Sequence, residues 1–234
     1  MKYSIIIPAL NEEEYIEKSI HALQRQNFSK ELFEIIVVDN GSDDHTIEYA
    51  KNAGANIVVS EAKRGTNAAR NRGIKESRGE ILVFLDADTE PHEQWIADID
   101  KIMNNKNIAA VSGPYDYGFA GIQRILSFFV YDIGFEYIGP VISVIFRKKV
   151  SALMGGNFAV KRTVIEEVGM FPEIPFWGDD TAISMNIMRN GNHVIFTRKI
   201  KIKASDRRFK TRGFFKLSCI YIYHFFKMYF TFHV

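Results

Sequence analysis

Hydrophobic and polar positions along this chain form short apolar runs separated by stretches of helical spacing. Tyr3–Ile7 is the first run and predicts a strand, with Pro8 expected to stop it. Asn11 is placed to cap a helix opened by Glu12, Glu13 and Glu14, whose negative charge suits a helix N-terminus. Ile16, Ile20 and Leu23 form its apolar stripe. Phe33–Val38 is a second strand, followed by Asp39-Asn40-Gly41-Ser42, and Asp43 or Asp44 is expected to start the next helix. Ile57–Val59 predicts a third strand, Gly65–Glu76 a helix, and Ile81–Leu85 a fourth strand between Gly79 and Pro91. Short, unbroken runs of this kind suit strands buried on both faces. Strands alternating with helices about every twenty residues predict βαβ units around a parallel sheet.

The pattern is less regular in the second half. Residues 108–113 predict another strand, and 125–146 are strongly apolar but contain Asp132, Glu136, Gly139 and Pro140. A central acid costs a membrane span about 2.5–3.5 kcal/mol, so this segment is expected to shield a pocket or touch a bilayer instead. Gly155-Gly156-Asn157-Phe158-Ala159-Val160 reads as a glycine-rich loop entering a strand. Asp179 and Asp180 open a helix carrying Ile183, Ile187 and Met188. No repeat or low-complexity linker divides the chain. One α/β domain over residues 1–212 is expected, with halves 1–113 and 114–212, followed by an amphipathic helix over 213–234.

Composition narrows the setting. At 234 residues, with 47% hydrophobic and 25% charged residues, the chain has the make-up of a globular protein with a sizeable core. Its one cysteine, Cys219, excludes an intrachain disulfide and fits a reducing compartment. The apolar part of the N-terminus is too short for a signal peptide, so a cytoplasmic location is expected. Residues 1–197 carry 20 Lys and Arg against 27 Asp and Glu, whereas residues 198–234 carry 10 against 1. A basic tail on an acidic body points to a polyanionic partner: nucleic acid, a diphosphate or an anionic membrane face.

The candidate chemistry gathers at the carboxyl ends of the predicted strands, where open α/β sheets bind ligands. Asp86 and Asp88 follow the fourth strand and, on an extended chain, point the same way. Two hard oxygen donors suit Mg²⁺ or Mn²⁺ shared with substrate phosphates. The structural alternative is that Asp88 or Thr89 caps the helix after Pro91. Asp39 either accepts hydrogen bonds from a nucleobase or ribose or makes an Asx-turn into Gly41. Lys63-Arg64-Gly65 opens a helix bearing Arg70 and Arg72, which suits a diphosphate or, for Arg72 above all, a solvated face. Asp179 and Asp180 are either capping residues or candidates for a general base.

Taken together, these residues resemble the family 2 glycosyltransferases, which have the GT-A fold. The resemblance covers roughly residues 2–213. It is carried by Ser-Ile-Ile-Ile-Pro-Ala-Leu-Asn-Glu at 4–12, Val-Val-Asp-Asn-Gly-Ser-Asp-Asp at 37–44, and Ala-Ala-Arg-Asn-Arg-Gly at 68–73. Asp-Ala-Asp at 86–88, Gly-Gly-Asn at 155–157 and Asp-Asp at 179–180 complete it. It implies a Rossmann-like, mostly parallel central sheet flanked by helices, with a nucleotide-sugar half and an acceptor-side half. Pro8 and Asp39 are then expected at the nucleoside, Arg70 at the diphosphate, and Asp86 at ribose or metal-bound water. Asp88, with Asp86, is expected to ligate Mg²⁺ or Mn²⁺. Ala9, Asn11, Glu12, Gly65, Ala87, Arg207 and Arg208 complete the expected donor surface. Gly155, Gly156, Asn157 and Trp177 are expected on the acceptor side. Asp180 is the expected base, with Asp179 able to exchange roles with it. Asn40 stands where many members have a second aspartate, and Ala182 replaces a frequent aspartate after the base.

The implied reaction is inverting transfer of a sugar to a hydroxyl of a glycan or lipid-linked acceptor. A nucleotidyltransferase and a non-catalytic nucleotide-sugar-binding protein are the alternatives. In the tail, Lys216, Tyr223 and Lys227 share a stripe with His224 and Thr231 beside it, and the rest of the circumference is apolar. Such a helix suits peripheral contact with an anionic membrane at its inner face. Packing on the core or across a homodimer is the alternative. Nucleic acid is not expected, because no nucleic-acid-binding motif accompanies the tail.

Overall fold

The computed structural model describes residues 1–138, 153–172 and 179–231. Its centre is a seven-stranded sheet built from β1 (Tyr3–Ala9), β2 (Phe33–Asp39), β3 (Ile57–Ser60), β4 (Ile81–Leu85), β6 (Ile108–Ser112), β8 (Asn157–Lys161) and β9 (His193–Phe196). The spatial order is β3-β2-β1-β4-β8-β6-β9. Every neighbouring pair is parallel except those of β8, which runs antiparallel to β4 and β6. All residues of β2, β4 and β6 are buried, as their unbroken apolar runs require.

Helices cover both faces. α1 (Ile16–Gln24), α2 (Thr46–Asn52) and α4 (Trp95–Met103) pack on one side, where Ile16, Ile20, Leu23, Trp95 and Ile99 join the core of β1, β2 and β4. On the other side, α6 (Arg162–Glu167) and α7 (Asp179–Arg189) bury Ile165, Ile183 and Ile187 against Phe84 and Phe158. Ahead of these lie α3 (Thr66–Glu76) and α5 (Gly121–Ser127), the latter continued by a π-helical stretch at Phe128–Ile138.

A second, three-stranded sheet stands at the carboxyl edge of the first. It has the order β5 (Thr89–Glu90), β10 (Ile202–Ala204), β7 (Tyr115–Asp116). β10 pairs antiparallel with β5 and parallel with β7. This small sheet draws together segments that the sequence keeps far apart: the chain after Asp88, the chain around Tyr115, and the approach to α8 (Arg207–Arg212). Gly213, at φ 83, then breaks the helix, and α9 (Phe214–Thr231) begins. That backbone angle suits glycine and would strain other residues. Phe214 and Leu217 of α9 pack on Phe209 of α8 with Tyr117 and Phe119 alongside. Among the described residues no helix is long and apolar enough to cross a membrane.

Three local expectations are corrected. Pro8 does not stop β1, which runs on to Ala9 in register with Asp39. The β1–β4 ladder ends at Ile6, and Ala9 accepts from the Asn40 N–H on the β2 side. Alternation along the strand therefore turns the Pro8 nitrogen toward the side where no ladder bond is missed. Asn11 does not cap a helix opened by the three glutamates, since α1 starts only at Ile16. It adopts φ 54 and accepts the Asp43 N–H through its carboxamide, so it stitches two loops together. The helix expected from Asp43 or Asp44 starts at Thr46, whose N–H is accepted by Asp44.

Candidate active site

Because β8 runs antiparallel, its entrance rather than its exit lies at the carboxyl edge of the parallel strands. Asn157 is paired with Leu85, which sets Gly155 and Gly156 beside Asp86. The side chains at this edge surround a cavity of about 640 Å³. Its wall includes Thr66, Arg70, Asp86, Asp88, Tyr115, Gly155, Gly156, Asp180, Arg207, Arg208, Arg212, Tyr221 and His224.

Asp86 and Asp88 do converge on this cavity, although the segment after Leu85 is a turn rather than a continued strand. The Thr89 hydroxyl donates to the Asp86 carbonyl at 2.7 Å and closes that turn. Neither Asp88 nor Thr89 caps a helix, because α4 begins only at Trp95. Ala87 between the two aspartates is buried in the core. Asp86 is held from both sides. Tyr115 Oη donates to its Oδ2 at 3.1 Å, and Arg70 Nη2 lies 3.7 Å from its Oδ1. Burial and then the Asp86 charge raise the Tyr115 phenol well above its usual pKa, so it remains a donor.

The glycines accommodate this packing. A Cβ on Gly156 would stand 1.9 Å from Asp86 Cγ, and one on Gly155 would stand 2.7 Å from Arg70 Nη2. Any larger residue at 156 must expel Asp86, which is why glycine is needed there. Arg70 is itself only 4% exposed and stacks over Phe171 at 5.2 Å from the ring centroid. Arg72, in contrast, pairs with Glu76 and lies outside the cavity wall.

Asp88 sits in a ladder of charges. Arg207 Nε is 3.2 Å from Asp88 Oδ2, and Arg207 Nη2 donates to Glu12 Oε1. The Arg207 guanidinium also lies 4.9 Å from the Tyr15 ring centroid. The Ser205 N–H donates to the Asp88 carbonyl at 3.0 Å and delivers α8 to this position. Burial and next the neighbouring Asp86 charge raise the Asp88 pKa, against the opposing effect of Arg207 and Arg208. Burial likewise raises Glu12, opposed by Arg207.

A divalent cation fits these groups. Asp86 and Asp88 line one cavity and their charges repel one another across it, a repulsion a cation relieves, whereas Glu12 is paired with Arg207 and is not among the cavity-lining residues. No cluster of three or more His, Cys, Asp or Glu forms a complete protein cage among the described residues. Two carboxylates completed by substrate phosphates are the usual arrangement for Mg²⁺.

Asp180 reaches the same cavity from the first turn of α7. Its Oδ2 accepts the Gly155 N–H at 3.3 Å and its Oδ1 accepts the Thr181 N–H at 2.7 Å. Asp179 is the first residue of α7, and its side chain lies outside the described residues, as does Trp177 entirely.

One expected contact is corrected. Asn157 is fully buried and is not open to an acceptor. Its Oδ1 accepts from Trp95 Nε1 at 3.2 Å, and its Nδ2 donates to the carbonyls of Gly113 and Ile200, each at 2.9 Å. It ties β8 to α4 and to the chain beneath the small sheet. Asp39 makes the Asx-turn, accepting the Gly41 N–H at 3.0 Å and the Ser42 N–H at 3.2 Å. It and Pro8, Ala9, Asn11 and Gly65 lie outside the cavity wall, at the neighbouring ends of β1, β2 and α3. Asn40 is a clamp: its Nδ2 donates to the Glu61 and Lys63 carbonyls, and its Oδ1 accepts the Gly65 N–H at 2.7 Å. An aspartate would lack those two donors.

Sequence reasoning missed Tyr115, the Glu12–Arg207 pair, and the entry of Tyr221 and His224 of α9 into the cavity wall. Tyr115 carries no local signature. The 3.6-residue period from Phe214 would have put Leu217, Tyr221 and His224 on one face.

The largely parallel sheet flanked by helices has the fold of the solved GT-A glycosyltransferases to which the chain is similar. The family model described as glycosyl transferase family 2 matches residues 4–169, and the chain belongs to that family. It is similar to glycosyltransferase AglE of Haloferax volcanii, with 33% identity over 186 residues, 76% of this chain and 58% of that protein. Among solved structures it is similar to mannosyltransferase PcManGT from Pyrobaculum calidifontis in complex with GDP-Man and Mn²⁺. That match has a TM-score of 0.69 and 23% identity, and it covers 87% of this chain and 56% of that one. The S. aureus TarS structure in complex with UDP-GlcNAc matches with a TM-score of 0.68 and 22% identity, over 88% of this chain and 58% of that one. The chain thus spans little more than half the length of these proteins.

Proposed function

We propose that this chain transfers a sugar from a nucleoside-diphosphate-sugar to an acceptor hydroxyl, with inversion at the anomeric carbon. The observation that carries this reading is one cavity faced by two kinds of carboxylate. Asp86 and Asp88 leave β4 with cations around them, and Asp180 enters from α7. In the reaction, the acceptor oxygen forms a bond to the anomeric carbon while the bond from that carbon to the phosphate oxygen breaks. The electron pair leaves with the nucleoside diphosphate, and the acceptor proton passes to Asp180. Asp88 and Asp86 would hold Mg²⁺ or Mn²⁺; when bound, such an ion supplies charge stabilisation for the departing diphosphate. Arg207 and Arg208 supply fixed positive charge on the same side. The structural neighbours solved with GDP-Man and UDP-GlcNAc support a nucleotide-sugar donor.

A thermal-shift screen of UDP-, GDP- and dTDP-sugars, each with and without Mn²⁺, tests this reading. One nucleotide class is expected to stabilise the chain in a metal-dependent way, by about 2.7 kcal/mol at a hundredfold excess over Kd. Absence of a shift with every donor would contradict it.

The acceptor is proposed to be a lipid-linked or envelope glycan met at the cytoplasmic face of a membrane. One side of α9 lines the cavity, while Phe215, Ile222 and Tyr223 are exposed, as are Ile122, Ile125 and Phe129 after β7. The basic stretch from Arg198 to Arg212 adjoins them and suits anionic lipid. Intact chain is expected to sediment with anionic vesicles, and the double variant Phe215→Asp, Ile222→Asp to remain mostly in the supernatant. Equal sedimentation of the two would refute membrane docking through α9.

A further inference from the structure

We infer that Tyr115 is a positioning residue for the transfer: its hydroxyl holds the donor-side carboxylate and the acceptor-side turn in one geometry. The inference rests on the function proposed above. Tyr115 opens β7, and its register partner on β10 is Ile202, three residues before Ser205 bonds the Asp88 carbonyl. The tyrosine is therefore carried by the same small sheet that delivers Arg207.

Its hydroxyl is used twice. It donates to Asp86 Oδ2 at 3.1 Å and accepts the Gly156 N–H at 2.9 Å. A hydroxyl does both because it has one O–H and two lone pairs. The turn it grips is bonded to both reacting sides. The Gly156 carbonyl accepts the Asp86 N–H at 3.2 Å, and the Gly155 N–H donates to Asp180 Oδ2 at 3.3 Å. One hydroxyl thus stands between the carboxylate assigned to the metal and donor and the backbone that meets the carboxylate assigned to the proton. Arg70 faces the other Asp86 oxygen at 3.7 Å, so Tyr115 and Arg70 together fix the carboxylate plane. Gly156 cannot replace this support, because it offers no side chain and lies in tight contact with Asp86.

Phenylalanine at 115 keeps the ring and removes both bonds. Asp86 keeps only Arg70 beside its carboxylate, and the Gly156 N–H loses its partner. For Tyr115→Phe, the donor KM and the Mn²⁺ concentration for half-maximal nucleoside-diphosphate binding are each expected to rise about five- to tenfold, and kcat to fall about tenfold. A residue that merely fills space would lower the folded fraction and hence kcat, leaving KM and the metal requirement unchanged. The experiment is steady-state kinetics of wild type and variant with the donor class that stabilises the wild type. Calorimetry of nucleoside diphosphate binding at graded Mn²⁺ accompanies it. An active wild type beside a variant whose KM and Mn²⁺ requirement stay within about twofold overturns the role of Tyr115 alone. A wild type that neither binds nor turns over any nucleotide-sugar overturns the functional reading and this inference with it. If Tyr115→Phe does not fold, 3-fluorotyrosine in place of Tyr115 keeps both bonds but makes the O–H a stronger donor. Its Mn²⁺ requirement is then expected to differ from wild type by about twofold or more, and an identical requirement overturns the inference.

Discussion

Asp180→Asn is expected to lower kcat by about a hundred- to ten-thousand-fold while leaving donor affinity within a few-fold of wild type. The amide is nearly isosteric with the carboxylate, but its single oxygen keeps only one of the two N–H groups that orient Asp180, either Gly155 on Oδ2 or Thr181 on Oδ1. What it loses is the ability to take a proton from the attacking hydroxyl. Donor binding is assigned to Asp86, Asp88 and the arginines of α8, whose positions are set by Tyr115, Arg70 and Glu12. Turnover and donor binding are therefore expected to separate in this variant. Steady-state kinetics with parallel calorimetry of the donor check the prediction, and a kcat within about threefold of wild type would remove Asp180 from the role of base.

Much of the fold was legible because its signals are local. The runs Phe33–Val38 and Ile81–Leu85 are apolar almost without a break, and both became fully buried strands. Asp86, Asp88 and Asp180 were legible as well, and the cavity unites them. The misread residues are those whose partners are remote in sequence. Asn157 looks like a polar loop residue, yet its carboxamide is consumed by Trp95, Gly113 and Ile200, which only the fold brings near. Pro8 looks like a strand breaker, and whether it breaks one depends on where the β1–β4 ladder ends. Glu12 and Arg207 are separated by 195 positions, and Tyr115 and Gly156 by 41. No periodicity reports such contacts. They arise from the small sheet, whose strands of two and three residues are too short to leave a pattern.

Asp88→Ala carries the second large effect, a fall of at least about a hundredfold in metal-dependent donor affinity, equivalent to roughly 3 kcal/mol. The same substitution is not expected to destabilise the fold. Burial and the Asp86 charge already oppose ionisation of Asp88, so its removal relieves both penalties, while Arg207 keeps Glu12. Lost binding with an unchanged or higher Tm is thus the signature of a functional carboxylate whose presence costs stability. The most direct test of the whole account is calorimetric titration of the stabilising nucleoside-diphosphate-sugar into wild type and Asp88→Ala, with Mn²⁺ and again with EDTA. Tight binding is expected only for wild type with Mn²⁺, and weak binding in the other three cells. Equal affinity with Mn²⁺ and EDTA in wild type, or undiminished affinity in Asp88→Ala, would contradict it.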